Sequence, residues 1–261
     1  LQSLHELTET PGRIVVVDNA STDNSADRIR TAYPEIEFVQ NSQNLGYGRG
    51  QNATIKALIE RGFDWIWLLN NDARAEPDSL RRMLDHAQQH ADAGAIGAPI
   101  FDLDQTARLQ AWGGGKINRW LGRSVQFQQP VDDRRLDYLT GASLLLRSAA
   151  LQQAGLFDPA FFMYWEDVDL SIRLVDKGWS LSVAKQARVR HRGSASMVGQ
   201  TARKDQLMNE SAVRFFRKHG PLGGWPAIVI GITGRVGKRM FKGRWTQALA
   251  VLRGASNALR D

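Results

Sequence analysis

Eight residues constrain the fold most: Trp65-Ile66-Trp67-Leu68-Leu69-Asn70-Asn71-Asp72. Five large apolar residues in a row, between segments of helical character, read as a strand buried on both faces. The run then turns abruptly into two amides and a carboxylate, and Glu76-Pro77 starts the next helix. In an open α/β sheet the ligand crevice lies outside the carboxyl ends of the strands. A short acid at that edge is placed to hold a cation or a polar ligand; it would equally suit a turn that satisfies only its local amides.

The flanking sequence repeats this pattern. Residues 13–17 (Arg-Ile-Val-Val-Val) form a second buried strand, ending at Asp18-Asn19-Ala20-Ser21-Thr22-Asp23. The short polar side chains there can cap a helix over 26–33, which Pro34 stops. A short strand at 36–39, a polar glycine-rich loop at 41–50, helices at 51–61 and 77–90, and a strand at 95–98 follow. Strand and helix alternate four times in about a hundred residues, which predicts an α/β fold with a Rossmann-like, mostly parallel sheet flanked by helices. Residues 102–137 lose the alternation and read as loops and short strands. Strands at 137–139 and 143–146 bracket Thr140-Gly141-Ala142. The aromatic run Phe161-Phe162-Met163-Tyr164-Trp165 leads into a helix that begins Glu166-Asp167-Val168-Asp169, and Gly178 closes it. Short strands at 181–184 and 188–190 precede His191.

Composition adds a division of charge. Of the net +7, residues 201–261 hold 12 Lys and Arg against 3 Asp and Glu, whereas residues 1–200 hold 22 against 24. The expected organisation is therefore a main domain over 1–200 and a basic helical tail over 201–261. The acidic body argues against a nucleic-acid groove. The tail shows a helix at 201–219, then two amphipathic patterns, one with Ile228, Ile232, Val236 and Met240 recurring every four residues, the other with Ala248, Leu252, Ala255 and Leu259. A basic amphipathic helix suits an anionic leaflet; packing on the domain or on a second subunit, as a homo-oligomer, suits it equally. The absence of cysteine fits a reducing compartment. No apolar run reaches the roughly 20 residues of a spanning helix. Leu1, Leu4 and Leu7 look like the middle of an amphipathic helix, so a strand and the start of that helix are expected upstream.

Several residues could carry chemistry. Asp18 at its strand end can accept hydrogen bonds from a base or ribose, or cap the following helix. Gly46 and Gly48 fit the first half of a G-x-G-x-x-G fingerprint, but Gln51 occupies the third glycine's place, which leaves a loop whose backbone can approach a ligand. Glu166 and Asp167 sit at a helix start, where the helix dipole favours an ionised proton acceptor. Asp169 and Arg173, four apart, suit a structural pair. His191 at a strand end is a candidate metal ligand, although a lone His more often is not one.

Taken together, Val17-Asp18-Asn19-Ala20-Ser21-Thr22-Asp23, Asn44-Leu45-Gly46-Tyr47, Leu69-Asn70-Asn71-Asp72, Thr140-Gly141-Ala142, Glu166-Asp167-Val168-Asp169-Leu170 and Val189-Arg190-His191 resemble the family 2 inverting glycosyltransferases of GT-A fold. The Asn-Asn-Asp variant is similar to the rhamnosyltransferase-like branch. The resemblance implies a nucleotide diphosphate sugar donor, dTDP-rhamnose or a UDP-sugar among the candidates, and a cell-surface glycan or lipid-linked acceptor. It implies an enzyme in the cytoplasm or on the inner face of the cytoplasmic membrane. It implies that Asp18, Asn44, Asn52 and Asn71 line the nucleotide site, that Gly141 and Ala142 lie under the donor sugar, and that Trp165 and Glu166 stand near the acceptor. Asp72 and His191 would hold Mg²⁺ or Mn²⁺, and Asp167 would be the general base. Three departures stand out: Asn70 where many relatives have Asp, Gln51 where relatives often have Asn, and the missing first strand. They leave open a catalytically impaired homologue that only binds nucleotide sugars.

Overall fold

In a computed structural model, which describes residues 1–105, 107–193 and 201–260, strand and helix alternate through the first hundred residues as expected. A short helix α1 (Gln2–His5) is followed by β1 (Val15–Asp18), α2 (Ser25–Ala32), β2 (Glu37–Gln40), α3 (Tyr47–Glu60) and β3 (Trp65–Leu69). Then come β4 (Ala73–Ala75), α4 (Ser79–Gln89), β5 (Ala93–Gly97) and β6 (Pro99–Asp102). The region expected to be loops and short strands holds β7 (Leu109–Trp112), β8 (Gly114–Asn118), β9 (Arg123–Gln126) and β10 (Tyr138–Leu139). The chain continues through β11 (Ser143–Arg147), α5 (Ser148–Ala154), α6 (Glu166–Asp176), β12 (Ser180–Val183) and β13 (Val189–His191). It ends in three long helices, α7 (Thr201–His219), α8 (Trp225–Phe241) and α9 (Trp245–Arg260).

The central sheet has the order β12-β5-β11-β3. β12 is parallel to β5, but β11 lies antiparallel between β5 and β3, so three strands run one way and one is reversed. The reversal matters for the site. Ser143 pairs with Leu69, so the loop that feeds β11 lies beside the carboxyl end of β3. Side chains on β11 alternate as a pleated strand requires: Leu144 and Leu146 pack with Ile55, Leu151 and Leu170, while Leu145 packs with Met83 and Ile96 on the opposite face. A second sheet, β4-β13-β6-β7, continues past the end of β3. β1 and β2 form a separate parallel pair, and β3 is the edge of the central sheet; no described strand joins β1 to β3.

The three last helices do not hang free. Val213, Phe215 and Phe216 of α7, Ile228 and Ile232 of α8, and Val251 of α9 share one core with Phe161, Trp165, Val168 and Ile172. α9 lies so close to α7 that a Cβ on Gly254 would stand 2.1 Å from the Gln206 carbonyl oxygen. The stripe that the sequence shows on α8 is thus spent in part on packing inside the protein.

Candidate active site

Four segments meet at the carboxyl ends of β1 and β3. At the first, Asp18 is buried and accepts hydrogen bonds from Ser21 N (3.2 Å) and Gln40 Nε2 (3.0 Å). Its neighbour Asn19, to which the sequence assigns no role, is the hub of the glycine loop. Asn19 Nδ2 donates to the Gly46 carbonyl (2.8 Å) and to Asn44 Oδ1 (3.1 Å), and its Oδ1 accepts from Leu45 N (3.0 Å). Asn44 also accepts from Gly46 N at 3.0 Å. Gly46 has φ 83°, and a Cβ there would stand 2.0 Å from the Phe162 carbonyl oxygen, so this position requires glycine. A cavity of about 410 Å³ opens beside the loop, lined by Asn44, Leu45, Arg49, Phe162 and Arg214 among others. Asn52, expected at the nucleotide, clips α3 to the 157 loop: it donates to the Phe157 carbonyl (2.8 Å) and accepts from Phe157 N (3.1 Å).

The second segment is the end of β3. β13 pairs with β4 so that His191 lies opposite Ala73, which brings its Nε2 to 3.0 Å from Asp72 Oδ1. Asn70 Nδ2 stands 3.4 Å from the same nitrogen, and the buried Asn70 Oδ1 has no hydrogen-bond partner among the described residues. Asn71 is exposed on the same turn. A carboxylate, an imidazole and an orphaned amide oxygen form a donor set that fits a divalent cation. No cluster of three or more His, Cys, Asp or Glu that could hold a metal occurs among the described residues. Ligands from a bound substrate would have to complete such a shell.

The third segment is the start of α6. Tyr164 and Trp165, neither a glycine, have φ of 69° and 68° and turn the chain sharply into the helix. Each such residue costs on the order of 1–3 kcal/mol. Trp165, expected near an acceptor, packs its ring on Phe215 and Phe216 at centroid distances of 4.8 and 5.1 Å and is almost fully covered. Asp167 is half-buried; its Oδ2 accepts from Gly141 N at 2.8 Å and its Oδ1 from Val168 N at 2.8 Å. Glu166 is buried, and its Oε2 has no partner among the described residues. Burial and the adjacent Asp167 charge push the Glu166 pKa far up. Burial also raises that of Asp167, but the Gly141 and Val168 N–H groups oppose the rise. Ionisation of the pair is thus opposed by burial, and the two N–H groups favour charge on Asp167 over Glu166.

The fourth segment, residues 140–142, ties the others together. Tyr47, the first residue of α3, donates its hydroxyl hydrogen to the Gly141 carbonyl at 2.8 Å, and Asn70 N donates to the Ala142 carbonyl at 3.2 Å. A continuous path of bonded residues thus runs from Asp18 through Asn19, Gly46, Tyr47 and Gly141 to Asp167. Burial, with a smaller contribution from the acids of the site, raises the Tyr47 pKa. Asn19 and Tyr47 belong to motifs visible in the sequence, but their partners lie 25 to 94 residues away.

Comparison with known proteins agrees with this architecture. Residues 11–207 match the family model described as "Glycosyltransferase like family 2". An N-acetylglucosaminyl-diphospho-decaprenol L-rhamnosyltransferase of Mycobacterium tuberculosis is 33% identical over 214 residues, covering 73% of this chain and 70% of that protein. Among solved structures, the mannosyltransferase PcManGT of Pyrobaculum calidifontis in complex with GDP-Man and Mn²⁺ superimposes with a TM-score of 0.59 at 12% identity, covering 99% of this chain and 81% of that one. S. aureus TarS superimposes with a TM-score of 0.54 at 16% identity over 86% of this chain, which spans only 41% of TarS. The chain is therefore a member of glycosyltransferase family 2, with the GT-A fold.

Proposed function

We propose that the protein is an inverting glycosyltransferase that moves a sugar, rhamnose the first candidate, from a nucleotide diphosphate donor to a hydroxyl of a lipid-linked or cell-surface glycan acceptor. The observation that carries this reading is the Asp167 carboxyl group, held by Gly141 N and Val168 N beside the buried Glu166. Gly141, whose N–H holds Asp167, also accepts the Tyr47 hydroxyl through its carbonyl. The similarity to the mycobacterial rhamnosyltransferase supports the choice of sugar and of a diphosphate-linked acceptor.

Asp18 and the Asn19–Asn44 loop receive the nucleotide, with exposed Asn71 at its edge. Asp72 and His191, with Asn70 Oδ1, would hold a Mg²⁺ or Mn²⁺ ion, which offsets the charge that develops on the departing diphosphate. Gly141 and Ala142 form the floor under the donor sugar. Asp167 accepts the proton of the acceptor hydroxyl as that oxygen attacks the anomeric carbon on the face opposite the leaving group. A single displacement inverts the anomeric configuration, and no second nucleophile is needed.

The test is Asp167→Asn assayed against a panel of dTDP-, UDP- and GDP-sugars with Mn²⁺. The variant should bind nucleotide like the parent and lose turnover by about three or more powers of ten. Turnover close to that of the parent would remove Asp167 as the base. A parent chain that binds donor and transfers nothing to any acceptor would instead favour a binding homologue.

A further inference from the structure

The outward side of α8 is apolar where a surface helix is ordinarily polar. At 100° per residue, Val229, Ile230, Thr233, Gly237, Met240 and Phe241 fall within an arc of about 120°. All six are exposed, Phe241 at 93%. The opposite side, with Ala227, Ile228, Gly231 and Ile232, is buried on the bundle. Thr233 hides its hydroxyl by donating to the Val229 carbonyl at 2.7 Å. Arg235 and Arg239 point away from this arc: Arg235 bonds Asn209 and the Gly122 carbonyl, and Arg239 bonds Asp205. The sequence pattern on α8 thus conceals two apolar faces, and the one facing outward is not the stripe of Ile228 and Ile232.

Neighbouring elements extend this face. Gly122, in the turn between β8 and β9, packs on α8 at Ala227 and Gly231, and the same turn exposes Trp120. Trp225 starts α8, and Trp245 follows its end across a short turn. The exposures of Trp120, Trp225 and Trp245 are 56%, 56% and 59%, while every other tryptophan of the chain is buried or half-buried. Indole rings with one apolar and one polar edge favour the boundary between lipid and water. Residues 221–260 contain seven Lys and Arg and no Asp or Glu, and Lys238, Lys242 and Arg244 are exposed around the end of α8.

We infer that this face docks on an anionic lipid bilayer, with α8 lying in the plane of the headgroups. No helix among the described residues is long and apolar enough to cross a membrane, so contact through α8 is interfacial. The charge distribution selects this occupant over a second copy of the chain. A two-fold contact through this face would enclose Lys238, Lys242 and Arg244 of both copies with no acid of residues 221–260 to offset them. Anionic headgroups supply that offset, and the acyl boundary accepts the side chains of Val229, Ile230 and Phe241.

The experiment uses the whole chain without nucleotide or sugar, so its outcome is independent of the transferase reading. Flotation is measured with vesicles of phosphatidylcholine alone and of phosphatidylcholine mixed with phosphatidylglycerol. The parent should float with the mixed vesicles. Val229→Ser/Phe241→Ser should cut the bound fraction about tenfold or more, and Lys242→Glu/Arg244→Glu should remove the preference for anionic vesicles to a similar degree. Val175→Ser, at an exposed apolar position of α6, should bind like the parent, and circular dichroism checks that each variant is folded. Failure of the parent to float, or equal binding by all variants, would overturn the inference. A parent dimer in sedimentation that Val229→Ser/Phe241→Ser dissociates would assign the face to a second copy instead.

Discussion

Asp169 offers a sharp test of what holds the start of α6. The side chain is fully buried and is met by Arg173 Nε at 2.8 Å, Lys218 Nζ at 2.8 Å and His219 Nε2 at 2.7 Å. Burial alone would raise its pKa. The hydrogen bond from His219 and the charges and hydrogen bonds of Arg173 and Lys218 outweigh that and bring it from 3.8 down to about 2. Almost two units correspond to about 2.5 kcal/mol of preference for the ionised acid in the folded state. Because the folded pKa is depressed, this contribution is fully present above about pH 4 and is lost as the pH falls toward 2. In Asp169→Asn, Arg173 keeps the carbonyls of Ala154 and Leu156, and Lys218 keeps Asp158. Three cationic or ionisable groups still lose their common counter-charge. The expected cost at pH 7 is about 3 kcal/mol, or roughly 5–10 °C in Tm for a chain of this size. Urea unfolding followed by tryptophan fluorescence, repeated from pH 7 to pH 2, measures both the cost and its disappearance in acid. A variant within about 0.5 kcal/mol of the parent at pH 7 would refute the reasoning. So would a difference that does not shrink on acidification.

Other expectations follow from the same geometry. Because burial and the adjacent Asp167 raise the Glu166 pKa, folding disfavours its ionised form as the pH rises above the ordinary carboxylate range, and Glu166→Gln should remove that penalty. The Tm of Glu166→Gln relative to the parent should therefore grow from pH 4 to pH 8; a constant offset would contradict a raised Glu166 pKa. With Mn²⁺ and a nucleoside diphosphate present, the parent should show a rise in Tm that Asp72→Asn and His191→Ala each abolish, and excess EDTA should stop turnover. Gly46→Ala should lower stability by about 1–3 kcal/mol in urea unfolding, because its Cβ meets the Phe162 carbonyl and its φ is left-handed.

The sequence carries local pattern better than distant pairing. β3 lies at residues 65–69 as expected, and α7 at 201–219, because each has a clear apolar period. The Asp169–Arg173 pair is legible because its members sit one helical turn apart. Lys218 and His219, fifty residues away, are not. β4 escapes notice because three residues, Ala-Arg-Ala, carry no strand period and are ordered only by pairing with β13. The reversal of β11 is likewise hidden, since a buried apolar run reads the same in either direction. Asp18, Asp72 and Asp167 stand out as acids at element ends. Asn19 and Tyr47, which connect them, look like ordinary turn and helix residues until the loop closes on Gly141. The packing of Trp165 is hidden as well: an aromatic beside two acids suggests a sugar platform, and its ring contacts with Phe215 and Phe216 lie fifty residues away.

The two left-handed residues before α6 have a consequence for anyone who would shorten this protein. Nothing in the local sequence favours that conformation at Tyr164 and Trp165; what clamps it is the wall of aromatic rings contributed by α7, some fifty positions downstream. A chain cut ahead of that wall would retain every acid of the cleft and still lose the bend that aims one of them. The first terminal helix thus belongs to the frame of the cleft as a keystone belongs to an arch.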